Sequence, residues 1–167
     1  MADGGAAERL AAARLMRVAI GSDHAGFALK QRVAEELGAL GHEVVDLGTD
    51  SPERSVDYPD FSIAVAERVA QGEADCGVIV CATGIGASIA ANKVMGARAS
   101  VVTSEETARL TRADNDSNVL ALGAKTAPSV EAALGWMRAW LETPFAAGRH
   151  LRRVDKIRDY EAKQQRP

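Results

Sequence analysis

Cys81 closes the apolar run Val78-Ile79-Val80 and is followed by Ala82-Thr83-Gly84-Ile85-Gly86-Ala87-Ser88. Small residues at such a place let several backbone N–H groups face one anion, and a helix opening there adds partial positive charge. A helix N-terminus also favours a thiolate, so Cys81 is a candidate base or nucleophile. The competing reading is an inert buried cysteine, a common fate of this residue type. Its partner in the run, Cys76, stands near the start and is read as structural. A second stretch, Gly21-Ser22-Asp23-His24-Ala25-Gly26-Phe27, brings Asp23 and His24 to a helix entrance. Ser22 or Asp23 could equally serve there as a helix cap.

Spacing discriminates among the chemistries that use a loop of this kind. A dinucleotide-binding loop wants a third glycine three residues after the second, where this chain has Ile89, and wants it after the first strand. A cysteine phosphatase needs a cation six residues after its nucleophile to hold the transferring phosphoryl group, and Ala87 stands there. A P-loop needs Gly-Lys-Ser or Gly-Lys-Thr, which is absent, and Lys93 is too far along. Proton transfer beside an anion hole remains. An aldose–ketose isomerisation needs one base to take a proton from a carbon next to a carbonyl, plus donors for the enediolate oxygens. Cys81 supplies a candidate base, and the N–H groups of residues 82–86 supply candidate donors.

The elements that must position these residues alternate. Short β-branched runs at 17–21, 43–47, 77–81, 99–102 and 119–122 are separated by helical patterns at 27–40, 61–71, 85–95, 105–113 and 129–141. Phe27, Val33, Leu37 and Leu40 fall mostly at three- and four-residue spacing, as one buried helix face requires. Such alternation predicts a Rossmann-like α/β fold, a three-layer α/β/α sandwich around a five-stranded parallel sheet. Ligands in these sheets bind outside the carboxyl ends of the strands, which is where both stretches fall. A basic helix is predicted over 148–158, after the break at Thr143-Pro144.

At 167 residues the chain fits one domain, here 16–160, with residues 1–15 as a disordered or loosely helical extension of no assigned role. Aromatic residues are 4% of the chain against 47% apolar, so the core must be built from Ala, Val, Leu and Ile. A formal net charge of −3 gives no global attraction to nucleic acid or to an anionic membrane. No apolar stretch reaches the ~20 residues that span a bilayer. The two cysteines fit neither a disulfide framework nor the usual zinc spacings, so no metal or other cofactor is expected and a reducing cytoplasm is the simplest location.

Taken together the motifs resemble the type B ribose-5-phosphate isomerase family, whose relatives include galactose-6-phosphate isomerase subunits. The matching stretches are the 21–27 loop, Asp57-Tyr58-Pro59, Cys81-Ala82-Thr83-Gly84-Ile85-Gly86, Ser88-Ile89-Ala90-Ala91-Asn92-Lys93, Asn115-Asp116-Ser117-Asn118-Val119-Leu120 and Gly148-Arg149-His150. They occur in family order over roughly residues 16–158. The resemblance implies that Cys81 is the proton-shuttling base and that another branch's glutamate is replaced by Ala87. It implies that Thr83 with the backbone of Ala82, Gly84, Ile85 and Gly86 holds the substrate oxygens. Asp23, Tyr58 and Asn115 would contact the sugar, with His24 near its phosphate. Arg149 and Arg153, one helical turn apart, would clamp phosphate in the site of a neighbouring subunit, making the enzyme a homodimer or tetramer with shared active sites. Lys125 stands where many relatives carry arginine; it keeps the charge but loses the bidentate fork.

One departure bears on the substrate. Asp114 occupies the position of a histidine that many relatives use to open the furanose ring. A carboxylate there could act as a base on the anomeric hydroxyl. A tetrose phosphorylated on O4 cannot close a five-membered ring and would need no ring opener. Erythrose 4-phosphate/erythrulose 4-phosphate is therefore an alternative to ribose 5-phosphate/ribulose 5-phosphate, with allose 6-phosphate behind both. A non-enzymatic nucleotide-binding α/β module is a further alternative, but it would have no use for Cys81. The basic tail lacks interleaved aromatic residues and so does not read as a nucleic-acid surface.

Overall fold

A computed structural model describes residues 14–164. The extension expected over 1–15 therefore lies, apart from exposed Arg14 and Leu15, outside the described residues. Five strands form one sheet: β1 (Arg17–Ser22), β2 (Glu43–Asp46), β3 (Cys76–Cys81), β4 (Ala99–Val101) and β5 (Val119–Gly123). Their order is β2-β1-β3-β5-β4, and every neighbouring pair is parallel. Among the described residues six helices accompany them: α1 (Phe27–Ala39), α2 (Tyr58–Ala70), α3 (Ile85–Ala91), α4 (Glu105–Asn115), α5 (Val130–Glu142) and α6 (Arg149–Gln164).

Parallel strands covered on both faces must be apolar on both, and β3 is buried at all six positions. Alternation along it separates two cores. Cys76, Val78 and Val80 join Leu29, Val33 and Leu37 of α1, Ala108 of α4 and Leu134, Met137 and Trp140 of α5. On the opposite face Ile79 and Cys81 join Val65, Ala66 and Val69 of α2 and Ala87 and Ala91 of α3. The second core is largely alanine and valine, which lets the short helix α3 lie close to the sheet. Close packing of this kind explains two glycines: a Cβ on Gly21 or Gly77 would meet Val65 at 2.9 or 2.6 Å.

Most element ends fall within one residue of the periodicity reading and four differ by more, one of them the basic helix α6, which runs on to Gln164 instead of ending at 158. Helix α2 begins at Tyr58 rather than at 61, because Pro59 falls in its first turn, where its missing N–H is no loss. Helix α3 stops at Ala91 rather than at 95. Asn92 turns its side chain to the edge strand instead, donating to the Ala99 carbonyl (2.9 Å) and accepting from the Ala99 N–H (2.8 Å). Helix α4 runs on to Asn115, and Asp116 closes it in the left-handed conformation at φ 48°. Asp116 then receives Arg98, Arg112 and Arg158, which ties α4, the start of β4 and α6 together. Burial draws the Arg98 guanidinium below the usual arginine range, and Asp116 opposes that pull.

Candidate active site

The carboxyl ends of β1 and β3 lie side by side, with Ser22 paired to Val80. The loop after β1 is folded tightly onto β3: a Cβ on Gly26 would stand 2.6 Å from the Val80 carbonyl oxygen. Asp23 is buried and accepts the Gly26 N–H through Oδ1 at 2.9 Å. The carboxylate thus closes the turn ahead of α1, whose own first residue has no side-chain cap. Ser22 is buried with its hydroxyl unpartnered. His24 accepts the Val56 N–H through Nδ1 at 3.2 Å. That bond leaves Nε2 as the protonated nitrogen of a neutral ring.

Cys81 ends β3. The residue is only 4% exposed and borders the alanine-rich core, yet its sulfur does not face aliphatic neighbours alone. The Gly84 N–H donates to Sγ at 3.1 Å, so the sulfur is aimed along the loop that opens α3. Gly84 makes this possible with φ 76°. A side chain there would meet Val101 at 2.9 Å and the Leu122 backbone at 3.0 Å, so only glycine fits. The next amide, of Ile85, donates to Thr83 Oγ1 at 3.3 Å. Two of the amides expected to face an anion are therefore engaged by the site's own cysteine and threonine.

The neighbouring loops brace this turn. After β5 the Ala124 and Lys125 N–H groups donate to the Cys81 and Ala82 carbonyls at 2.9 and 2.8 Å, which places exposed Lys125 beside Ala82. Gly123 is packed so closely on the Thr83 carbonyl that a Cβ would stand 2.6 Å from it. Tyr58, first residue of α2, lies across Gly86: its hydroxyl oxygen is 2.8 Å from where a Gly86 Cβ would be. Asp23, His24, Tyr58, Cys81, Ala82, Thr83, Gly84, Ile85, Gly86 and Lys125 thus share one end of the sheet.

Asp114, Asn115, Arg149 and Arg153 do not join them within the chain. Cys81 is paired with Gly123, whereas Asn115 precedes Val119 at the other end of β5. Four strand steps alone separate the two levels by about 13 Å. Asn115 instead lines a cleft of about 330 Å³ with Asn92, Arg98, Ser100, Ser117 and Glu161. Helix α6 starts at that end too: the Ala146 N–H donates to the Ala113 carbonyl at 2.9 Å, and His150 Nε2 is 3.4 Å from Asp114 Oδ1. The same nitrogen is 3.4 Å from Arg149 Nε. One chain therefore carries two groups of polar residues, at opposite ends of its sheet.

Sequence reasoning passed over two polar residues, one against Asp114 and one in the core. His150, quoted only as part of a motif, is the imidazole that faces Asp114. Lys30 is 2% exposed on the buried stripe of α1, and a lysine amid Leu29, Val33 and Leu37 was the signal for it. Among the described residues no group of three or more His, Cys, Asp or Glu side chains could hold a metal ion, and no helix is long and apolar enough to cross a membrane.

A family model described as Ribose/Galactose Isomerase matches residues 18–157. The putative sugar phosphate isomerase YwlF of Bacillus subtilis (strain 168) is 44% identical over 149 residues, covering 89% of this chain and 99% of its own. Ribose-5-phosphate isomerase B of Escherichia coli (strain K12) is 45% identical over 143 residues, covering 86% of this chain and 95% of its own. Among solved structures, Clostridium thermocellum ribose-5-phosphate isomerase B matches with a TM-score of 0.87 at 49% identity, over 90% of this chain and 100% of the other. The Mycoplasma genitalium enzyme, solved with bound ribulose-5-phosphate, matches with a TM-score of 0.85 at 39% identity, over 88% and 97%.

Proposed function

The chain belongs to the ribose/galactose isomerase family, and from that membership we propose that it interconverts ribose 5-phosphate and ribulose 5-phosphate through an enediolate, with Cys81 as the base. In the open-chain aldose the Cys81 thiolate takes the proton from C2, and the electron pair left behind forms the C1–C2 double bond of the enediolate. A proton passes from the C2 hydroxyl to the C1 oxygen, and the same sulfur returns its proton to C1 as the C2 carbonyl forms, giving the ketose. The Thr83 hydroxyl and the amides of the 82–86 turn other than those of Gly84 and Ile85, which bond Cys81 and Thr83, hold the two oxygens, where negative charge develops. Asp23 and Tyr58 orient the sugar, while His24, Lys125, Arg149 and Arg153 hold its phosphate.

The observation that carries this reading is the hydrogen bond from the Gly84 N–H to Cys81 Sγ at 3.1 Å. It gives the sulfur of a nearly buried cysteine the polar partner that proton transfer needs, and it aims it at the strand mouth, beside the Asp23-His24 turn. An inert core cysteine has no such requirement. Cys76 of the same strand makes the contrast: burial pushes its thiol up to about 12, among aliphatic side chains on the other face.

Asp114, Asn115, Arg149 and Arg153 reach Cys81 from a second copy of the chain. Their placement about 13 Å or more along the sheet from their own Cys81 supports this. So do the apolar side chains left exposed beside each group, Ile85 and Ile89 on α3 and Leu151 and Ile157 on α6. Asp114, with His150 against it, then serves as base for the anomeric hydroxyl during ring opening.

Incubation with ribose 5-phosphate in the presence of a chelator tests the reading. Ketose should form with the wild type and not with Cys81→Ala. Erythrose 4-phosphate and allose 6-phosphate belong in the same assay as comparators, and a higher kcat/KM on either would overturn the five-carbon assignment.

A further inference from the structure

We propose that Lys30, a buried residue outside the site, is a positioning residue that fixes the tautomer and the aim of His24 through the 47–57 loop; this rests on the isomerase reading above. Lys30 lies on the buried face of α1 and is 2% exposed. Its Nζ donates to Asp46 Oδ2 at 2.6 Å and to the Thr49 carbonyl at 3.0 Å, and it sits 5.3 Å from the centre of the Phe27 ring. The ammonium is thus satisfied on all sides by one strand end, one loop carbonyl and one aromatic face.

Stability does not by itself call for this arrangement. Desolvating a lysine is costly, and replacing a buried ion pair by apolar side chains is often neutral or favourable. What the charge does here is geometric. It pins the first residues of the loop that joins β2 to α2, a segment of eleven residues with no regular structure (47–57). The Thr49 N–H donates to the Ser22 carbonyl at 3.1 Å, and Gly48 is pressed between the Ser22 N–H and Lys30, where a Cβ would lie 2.7 and 2.8 Å from them. The Gly48 N–H in turn donates to Asp46 Oδ1 at 2.9 Å.

The far end of the same loop reaches the site. Its Val56 N–H is the donor to His24 Nδ1, and Tyr58 follows two residues later. Pinning the loop's start therefore sets where the Val56 amide stands. That amide decides which ring nitrogen of His24 carries the proton and which way it points. Lys30 acts on the substrate through these groups and touches none of it.

His42 provides an internal control. Its Nδ1 accepts the Met16 N–H at 3.2 Å, the same arrangement as in His24, but just before β2 and at the opposite end of that strand from Asp46, the partner of Lys30. Long-range imidazole 15N correlation spectra of the whole protein separate the two rings. The wild type should show Nε2–H rings for both. Lys30→Met should bring His24 into a mixture of tautomers, leave His42 unchanged and lower kcat/KM on ribose 5-phosphate about tenfold. Asp46→Asn, at an exposed position that keeps an acceptor for the Gly48 amide, should move His24 in the same direction and provides the result should Lys30→Met not fold. A folded variant with an unchanged His24 tautomer overturns the proposal, and so does an equal change in both rings, which would mean general loosening. If the wild type isomerises no sugar phosphate, the isomerase reading fails on its own, while the spectra still decide the link from Lys30 to His24.

Discussion

Adding one methyl group at Gly86 should separate activity from stability. Gly86 is the second residue of α3, and alanine is about 1 kcal/mol better than glycine inside a helix. Its Cβ would stand 2.5 Å from Tyr58 Cζ, whereas ordinary contact begins at 3.4 Å. The ring must retreat by about 1 Å, and being 38% exposed in the first turn of α2 it can do so into solvent without moving backbone. The propensity gain and the lost ring contact then roughly cancel, and Gly86→Ala should change unfolding free energy by less than about 1 kcal/mol. The active site does not share that tolerance, since a misplacement of about 1 Å can cost on the order of 100-fold, or roughly 2.7 kcal/mol of transition-state stabilisation. The assay is kcat/KM on ribose 5-phosphate, with thermal unfolding in parallel, across wild type, Gly86→Ala, Tyr58→Ala and the double variant. Because the damage acts through Tyr58, the double variant should match Tyr58→Ala alone. Wild-type activity in Gly86→Ala, or full additivity of the two losses, would refute the placement of Tyr58 as a substrate contact.

Cys81→Ser keeps a donor and acceptor at the strand mouth but not the soft base, and kcat/KM should drop by roughly 10³ with the circular dichroism spectrum unchanged. With sites shared between two chains as proposed, mixing unfolded Cys81→Ala with unfolded Arg149→Ala and refolding them together should restore about a quarter of the wild-type activity per site, because half the dimers would be mixed and each would have one intact site; no recovery would mean that Arg149 serves its own chain. Burial holds the Cys76 thiol proton in the fold up to about 12, against a smaller opposing pull from Arg112, while the unfolded chain releases it from 9.0 upward. That stabilisation is complete below 9.0 and is lost as pH rises towards about 12, so wild-type stability should fall up to about 1.4 kcal/mol per pH unit more steeply than that of Cys76→Ala, read by urea unfolding at pH 8 to 10.5. Asp116→Asn removes the one carboxylate that receives Arg98, Arg112 and Arg158, and should cost about 1–3 kcal/mol by the same measurement.

The order of elements, the parallel sheet and the position of Cys81 were legible in the residues, because each rests on local patterns. Strand-length apolar runs alternate with helix-period segments, and glycines mark the turns where only a small residue can stand. The Cys81 turn could be placed at a strand mouth because Val78-Ile79-Val80 runs into Gly84 and Gly86 within a few residues. Three matters were settled by tertiary packing. Whether the Cys81 sulfur faced solvent, aliphatic carbon or a polar group depended on Gly84 adopting a positive φ against Val101 and Leu122, contacts from strands about 20 and 40 residues away. The separation of Asp114, Asn115, Arg149 and Arg153 from Cys81 follows from α4 running back down the sheet, which residue type does not record. Lys30 reads in the sequence as a misplaced charge on an apolar stripe. Only the return of β2 beside β1 brings Asp46 and Thr49 to its ammonium, and a buried cation persists only where such distant partners converge on it.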